Sequence, residues 1–94
     1  MRLSHSGLRV LKACLDRPGK SLYGYELMQL TGLASGTLYP ILTRFEDAGW
    51  LSSSWEQSDP MQEGRPRRRL YRITAVGRSA IAENLGGLGV EVAA

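Results

Sequence analysis

The chain has 94 residues, a length that argues for a single domain, residues 1–94, with one modest core and little stability to spare. Its composition, 43% apolar and 22% charged with aromatics present, excludes a disordered polymer. The formal net charge is only +3, but residues 65–72 hold five arginines and no acid, while the rest carries seven basic and nine acidic residues. All the positive excess therefore sits in eight residues, a local field that suits a polyanion.

The lone Cys14 excludes an intrachain disulfide and fits a reducing, cytoplasmic setting. No apolar run reaches membrane-spanning length, and Arg9, Lys12 and Asp16 interrupt the amino-terminal segment, which makes a poor signal peptide. The expected location is the cytoplasm, with no membrane partner.

The first element is a helix over residues 3–15, with Leu8, Leu11 and Leu15 as its stripe and Cys14 at the side. Ser4 or Ser6 caps its start, and Arg17-Pro18-Gly19 stops it. Residues 21–23 form a short segment able to pair with a sheet edge. A second helix follows over 24–30, with Leu27, Met28 and Leu30 facing inward, and Thr31-Gly32 ends it. Ser35 is the expected N-cap of a third helix, in which Leu38, Ile41, Leu42 and Phe45 follow the i, i+3, i+4, i+7 rule. Gly49 closes it. Two helices joined by so short a turn form a helix-turn-helix, whose second helix enters a major groove.

Beyond Gly49 the pattern changes to strands. Residues 50–55 and 70–73 read as two strands, with a polar, Pro- and Gly-rich loop over 58–66 between them. The last element is a helix starting near Thr74, with Val76 and Ala80 on one side and Ile81, Leu85 and Leu88 nearly opposite. The expected fold is therefore α+β: a winged helix-turn-helix of three helices, a two- or three-stranded wing hairpin and a short carboxy-terminal helix.

With the third helix facing its stripe inward, Gly36, Pro40, Thr43 and Asp47 point outward and Thr37, Tyr39 and Arg44 flank them. Hydroxyls and methyls on Thr37 and Thr43 suit base edges or phosphates, Tyr39 can donate to a phosphate, and Arg44 can pair with one. The first-turn amides near Ser35 favour an anion, and Gly36 lets a duplex approach closely. Pro40 removes a backbone bond there, which helix propensity does not explain. Arg65, Arg67, Arg68 and Arg69 lie on the wing, where guanidinium groups follow phosphates or enter a minor groove. Arg72 is expected to lie further from the DNA.

Other chemistry finds no support. His5 and Cys14 lack further ligands at useful spacing, so no metal is expected. No phosphate-binding glycine loop and no catalytic dyad is present, so neither a cofactor nor an enzymatic activity is expected. Trp50 and Trp55 are read as structural.

Several of these residues together resemble the PadR family of winged-helix transcriptional regulators. The resemblance rests on Tyr23-Gly24-Tyr25-Glu26-Leu27, Gly36-Thr37-Leu38-Tyr39-Pro40-Ile41-Leu42 and Arg44-Phe45-Glu46-Asp47-Ala48-Gly49-Trp50-Leu51. It continues through Gly64-Arg65-Pro66-Arg67-Arg68, Tyr71-Arg72-Ile73-Thr74 and Gly77-Arg78, and spans roughly residues 5–85. It implies a homodimeric repressor of a palindromic operator in double-stranded DNA, with Gly36, Thr37 and Tyr39 on the recognition helix. It also implies a small aromatic effector between subunits and gives Pro40 a place in the family motif. Relatives often carry a longer turn before Ser35 and a long dimerisation helix at the carboxy terminus. Here Gly86-Gly87-Leu88-Gly89 follows instead, so the dimer contact is expected on the last helix, at Ile81, Leu85 and Leu88, with the first helix. The competing expectation is a protein-interaction module on the same fold, without operator selectivity.

Overall fold

The first helix meets the third at Gly7, which sits so close to Phe45 that an added Cβ would stand 3.0 Å from the ring. The computed structural model describes residues 3–17 and 19–87. Along the chain these form α1 (His5–Leu15), β1 (Leu22–Tyr23), α2 (Gly24–Thr31), α3 (Ser35–Asp47), β2 (Leu51–Trp55), α4 (Pro60–Glu63), β3 (Arg69–Ile73) and α5 (Ala75–Gly87). The fold is the expected α+β winged helix.

In α1, Ser4 is the cap: its Oγ accepts from the Gly7 N–H at 3.0 Å. The buried stripe is centred on Val10, Leu11 and Cys14 rather than on Leu8, Leu11 and Leu15; Leu8 and Leu15 pack at its margins. α2 begins where Glu26 turns back to accept from the Tyr23 N–H at 3.2 Å. It buries Leu27 and half-buries Met28, but Leu30 is 42% exposed. Leu30 turns outward because Thr31 takes the inward place: its buried hydroxyl donates to the Leu27 carbonyl at 2.6 Å and accepts from the Leu33 N–H at 3.2 Å.

α3 starts one residue earlier than expected. Ala34 is the N-cap, and Ser35 is the first helical residue. Ala34 has no side-chain acceptor; the Thr37 N–H turns back to the Ala34 carbonyl at 3.0 Å, and the Ser35 and Gly36 amides are left to water or an anion. Leu38, Ile41, Leu42 and Phe45 are all buried, as their spacing predicts. Pro40 does not break the helix, which runs continuously from Ser35 to Asp47.

The sheet has three antiparallel strands in the order β1-β3-β2, with Leu22 opposite Tyr71 and Ser53 opposite Tyr71 from the other side. One of the three serines of β2 is accounted for by α3: Ser53 donates its hydroxyl proton to the Glu46 carboxylate. Between β2 and β3 the expected plain loop contains one helical turn, α4. Asp59 caps it by accepting from the Met61 N–H at 3.0 Å, Pro60 holds its first position, and Gly64 closes it. None of its residues is buried.

Thr74 caps α5 by accepting from the Gly77 N–H at 2.9 Å, and its own hydroxyl donates to the Gly49 carbonyl at 2.6 Å. An added Cβ on Gly77 would drive into the Trp50 carbonyl, so only glycine lets α5 sit on the β2 entry. The buried face of α5 is Gly77, Ala80 and Ile81, while Val76 is exposed. The expected division of this helix is thereby corrected. Ile81, at 3% exposure, belongs to the domain's own core and is not left over for a partner. The Leu85 side chain and Leu88 lie outside the described residues. Phe45 and Trp50 stack at 5.4 Å between ring centres, tying α3 to the sheet.

Candidate nucleic-acid interface

The exposed residues of α3 include Ser35, Gly36, Thr37, Tyr39, Pro40, Thr43 and Arg44, with Gly36, Pro40 and Thr43 opposite the buried stripe and the others on its flanks. Packing fixes this face: rotating the helix to hide Thr37 would expose Leu38 or Ile41. The surface is small and hydroxylic, with charge only at Arg44 and at the exposed Asp47 near the far end, which suits close approach to base edges. Thr43 presents less than expected. Its hydroxyl donates to the Tyr39 carbonyl at 3.1 Å, leaving a methyl group and an acceptor for a partner.

Tyr39, 44% exposed, points its hydroxyl at the start of α2, where an added Cβ on Gly24 would overlap it. Gly24 is therefore a notch that lets a side chain of α3 reach the neighbouring helix. Between them and the wing lies a cleft of about 350 Å³ lined by Tyr23, Gly24, Tyr25, Tyr39, Arg67, Arg68 and Arg69. Tyr23, Gly24 and Tyr25 did not emerge as site residues from the sequence. The signal was present in the Tyr-Gly-Tyr run opening α2, which places two phenols and a gap at the end of a helix. Phenols and guanidinium groups around one cleft make a phosphate-binding chemistry.

The wing arginines occupy unequal surroundings. Glu56, beyond the end of β2, accepts from Arg65 at 2.7 and 3.3 Å and from Arg68 at 2.7 and 3.1 Å, and also from the Arg68 amide at 3.4 Å. The hydrogen bonds from Arg65, then those from Arg68, hold the Glu56 carboxyl well below the usual carboxylate range. The same bonds raise the pKa of Arg68. The Arg68 guanidinium also lies 4.0 Å above the Tyr23 ring. Arg69 stands 3.8 Å from Glu46 and 5.0 Å from the centre of the exposed Trp55 ring. Arg67 is exposed and donates from Nε to the Ser58 carbonyl at 2.7 Å. Arg72 turns away and donates to the Gly19 carbonyl at 2.9 Å. A run without acids in the sequence is thus met in space by Glu56 and Glu46.

Elsewhere, Cys14 is buried, and burial pushes its thiol up to about 11 against the opposing field of Arg17. His5 is exposed. Among the described residues no cluster of three or more His, Cys, Asp or Glu could hold a metal, and no helix is long and apolar enough to cross a membrane.

The family model described as the transcriptional regulator PadR-like family matches residues 10–83. A comparison with curated proteins finds no match. Among solved structures, a PadR-like transcription factor from Bacteroides fragilis is 26% identical with a TM-score of 0.70, over 89% of this chain and 82% of that one. The Streptococcus mutans UA159 protein smu.1704 is 25% identical with a TM-score of 0.70, over 95% and 82% respectively. A PadR family transcriptional regulator from Eggerthella lenta DSM 2243 is 25% identical with a TM-score of 0.70, over 88% and 73%.

Proposed function

Because the chain belongs to the PadR-like family of transcriptional regulators, DNA-binding proteins rather than enzymes, we propose that it is a repressor that recognises a palindromic operator in duplex DNA as a cytoplasmic homodimer. The observation that supports this most is the division of α3: its whole apolar stripe is buried, and Ser35, Gly36, Thr37, Tyr39, Pro40, Thr43 and Arg44 form one exposed face. In this reading α3 lies in the major groove, with Thr37 and the Thr43 methyl against base edges. Tyr39, Arg44 and the wing meet the flanking phosphates and set the register. Repression follows from occupancy of the promoter.

Selection from a random-sequence duplex pool tests the proposal. The expected product is one palindrome with half-sites about one helical turn, roughly 10 base pairs, apart. No enrichment over the starting pool sinks it. An enriched single half-site would keep base reading and remove the homodimer, whose contact in this reading uses the last helix and α1. A small aromatic effector belongs to the same reading, and a rise in Tm on adding a simple phenol checks it.

A further inference from the structure

The wing lacks an apolar anchor. No residue from 56 to 68 is buried, those of α4 included. What closes its base is polar: the Glu56 N–H donates to the Arg68 carbonyl at 2.9 Å, and five N–H donors from Arg65 and Arg68 converge on the Glu56 carboxylate. A carboxylate offers about four lone-pair positions, so this one is fully engaged. Its side chain is only 16% exposed, which makes leaving it unpaired costly.

We infer that Glu56 is a positioning residue for DNA binding: it keeps Arg65 and Arg68 at the base of the wing and leaves Arg67 as the wing's phosphate ligand. The inference deepens the DNA-binding reading above and rests on it. Arg65 faces Glu56 as a two-point fork, one N–H to each carboxylate oxygen, the strongest arrangement open to a guanidinium, while Arg68 places two N–H donors on Oε2 alone. Arg68 is further fixed against Tyr23, the residue that opens α2. Moving either arginine to a phosphate would exchange a paired, partly dry carboxylate for one without its partner. Arg67 differs: its one observed partner is the neutral Ser58 carbonyl, which orients the side chain and leaves its charge unneutralised.

The test is equilibrium binding of the full chain to a random-sequence DNA duplex over a range of salt concentrations. Each phosphate neutralised adds about 0.9 to the slope of log K against log salt. Arg67→Ala is expected to lower that slope by about one. Arg65→Ala is expected to weaken binding with the slope unchanged. Glu56→Gln is expected to weaken binding about tenfold although it removes a negative charge from the DNA-facing side; an acid without this role would, when removed, tighten it. Tighter binding by Glu56→Gln with a steeper slope overturns the inference, as does an Arg65→Ala slope reduced like that of Arg67→Ala. Should Glu56→Gln not fold, Arg65→Ala carries the same decision alone. If the wild-type chain binds no duplex, the DNA-binding reading falls, and the base clamp is judged without DNA. Amide exchange over residues 57–67 is then expected to be about tenfold faster in Arg65→Ala, and unchanged exchange overturns the clamp.

Discussion

In the proposed function α3 and the wing face the same partner, yet they are held in place by opposite kinds of force. α3 is fixed by Leu38, Ile41, Leu42 and Phe45 beneath it and shows a nearly neutral face. The wing has no buried residue and is fixed by arginine–carboxylate pairs around Glu56. Apolar packing is insensitive to salt and to protonation, whereas partly exposed ion pairs weaken with both. The two halves of the proposed interface should therefore fail under different conditions, and this separation can be attacked experimentally.

The largest effect is expected beneath α3. Leu38→Ala or Leu42→Ala removes a fully buried side chain and should cost about 2–5 kcal/mol, read as a lower denaturation midpoint in urea. Loss of that size threatens the whole domain, so both halves should fail together. Gly77→Ala comes next, at about 1–3 kcal/mol, because the added methyl meets the Trp50 backbone rather than a movable side chain. Gly24→Ala should spare stability far more, since the Tyr39 side chain can swing aside. It should still weaken DNA binding about tenfold by displacing that hydroxyl. Placing Gly24→Ala in a Tyr39→Ala background should abolish most of the added loss, and a loss that persists there would break the link between the two.

The wing is sharpened by pH. The folded pKa of Glu56 lies below its ordinary value of 4.5, so its stabilisation is present above about 4.5 and is lost as pH falls through the lower, folded value. Wing amide protection should stay level from about pH 8 to 5, begin to fall below about 4.5 and keep falling into strong acid; a fall already complete near 4.5 contradicts the clamp. Cys14 runs the other way. Its folded pKa is raised from 9.0 to about 11, so its contribution is present below 9 and fades as pH rises towards 11. At pH 8 the thiol should resist a disulfide reagent until denaturant is added. The smallest effect belongs to Lys12→Ala, which breaks an exposed i,i+4 pair with Asp16 and should shift stability by about 0.3 kcal/mol.

How far these features could be read in the chain depended on how local their causes are. The α3 stripe is set by residues within about two helical turns and was legible, as was the start of α5 near Thr74. The inward face of α5 was not, because periodicity gives a stripe but not which side the sheet and α1 lie on; Ile81 therefore went to the core. The helical turn at 60–63 was hidden because Asp59, Pro60 and Gly64 punctuate loops and cap helices alike. Glu56 was missed for a further reason. Its partners lie nine and twelve residues away across a hairpin, and counting charge along a run cannot see an acid that folding brings alongside.

The two tryptophans give this molecule a pair of built-in optical reporters. Trp50, 8% exposed and stacked on Phe45, should emit in the blue-shifted range of a dry indole and follow the melting of the core. Trp55, 59% exposed beside Arg69, should emit like indole in water and be quenched when nucleobases or an added iodide ion approach the wing. One fluorescence spectrum, split by a Trp55→Phe subtraction, then follows core and wing separately in the same cuvette without any attached label.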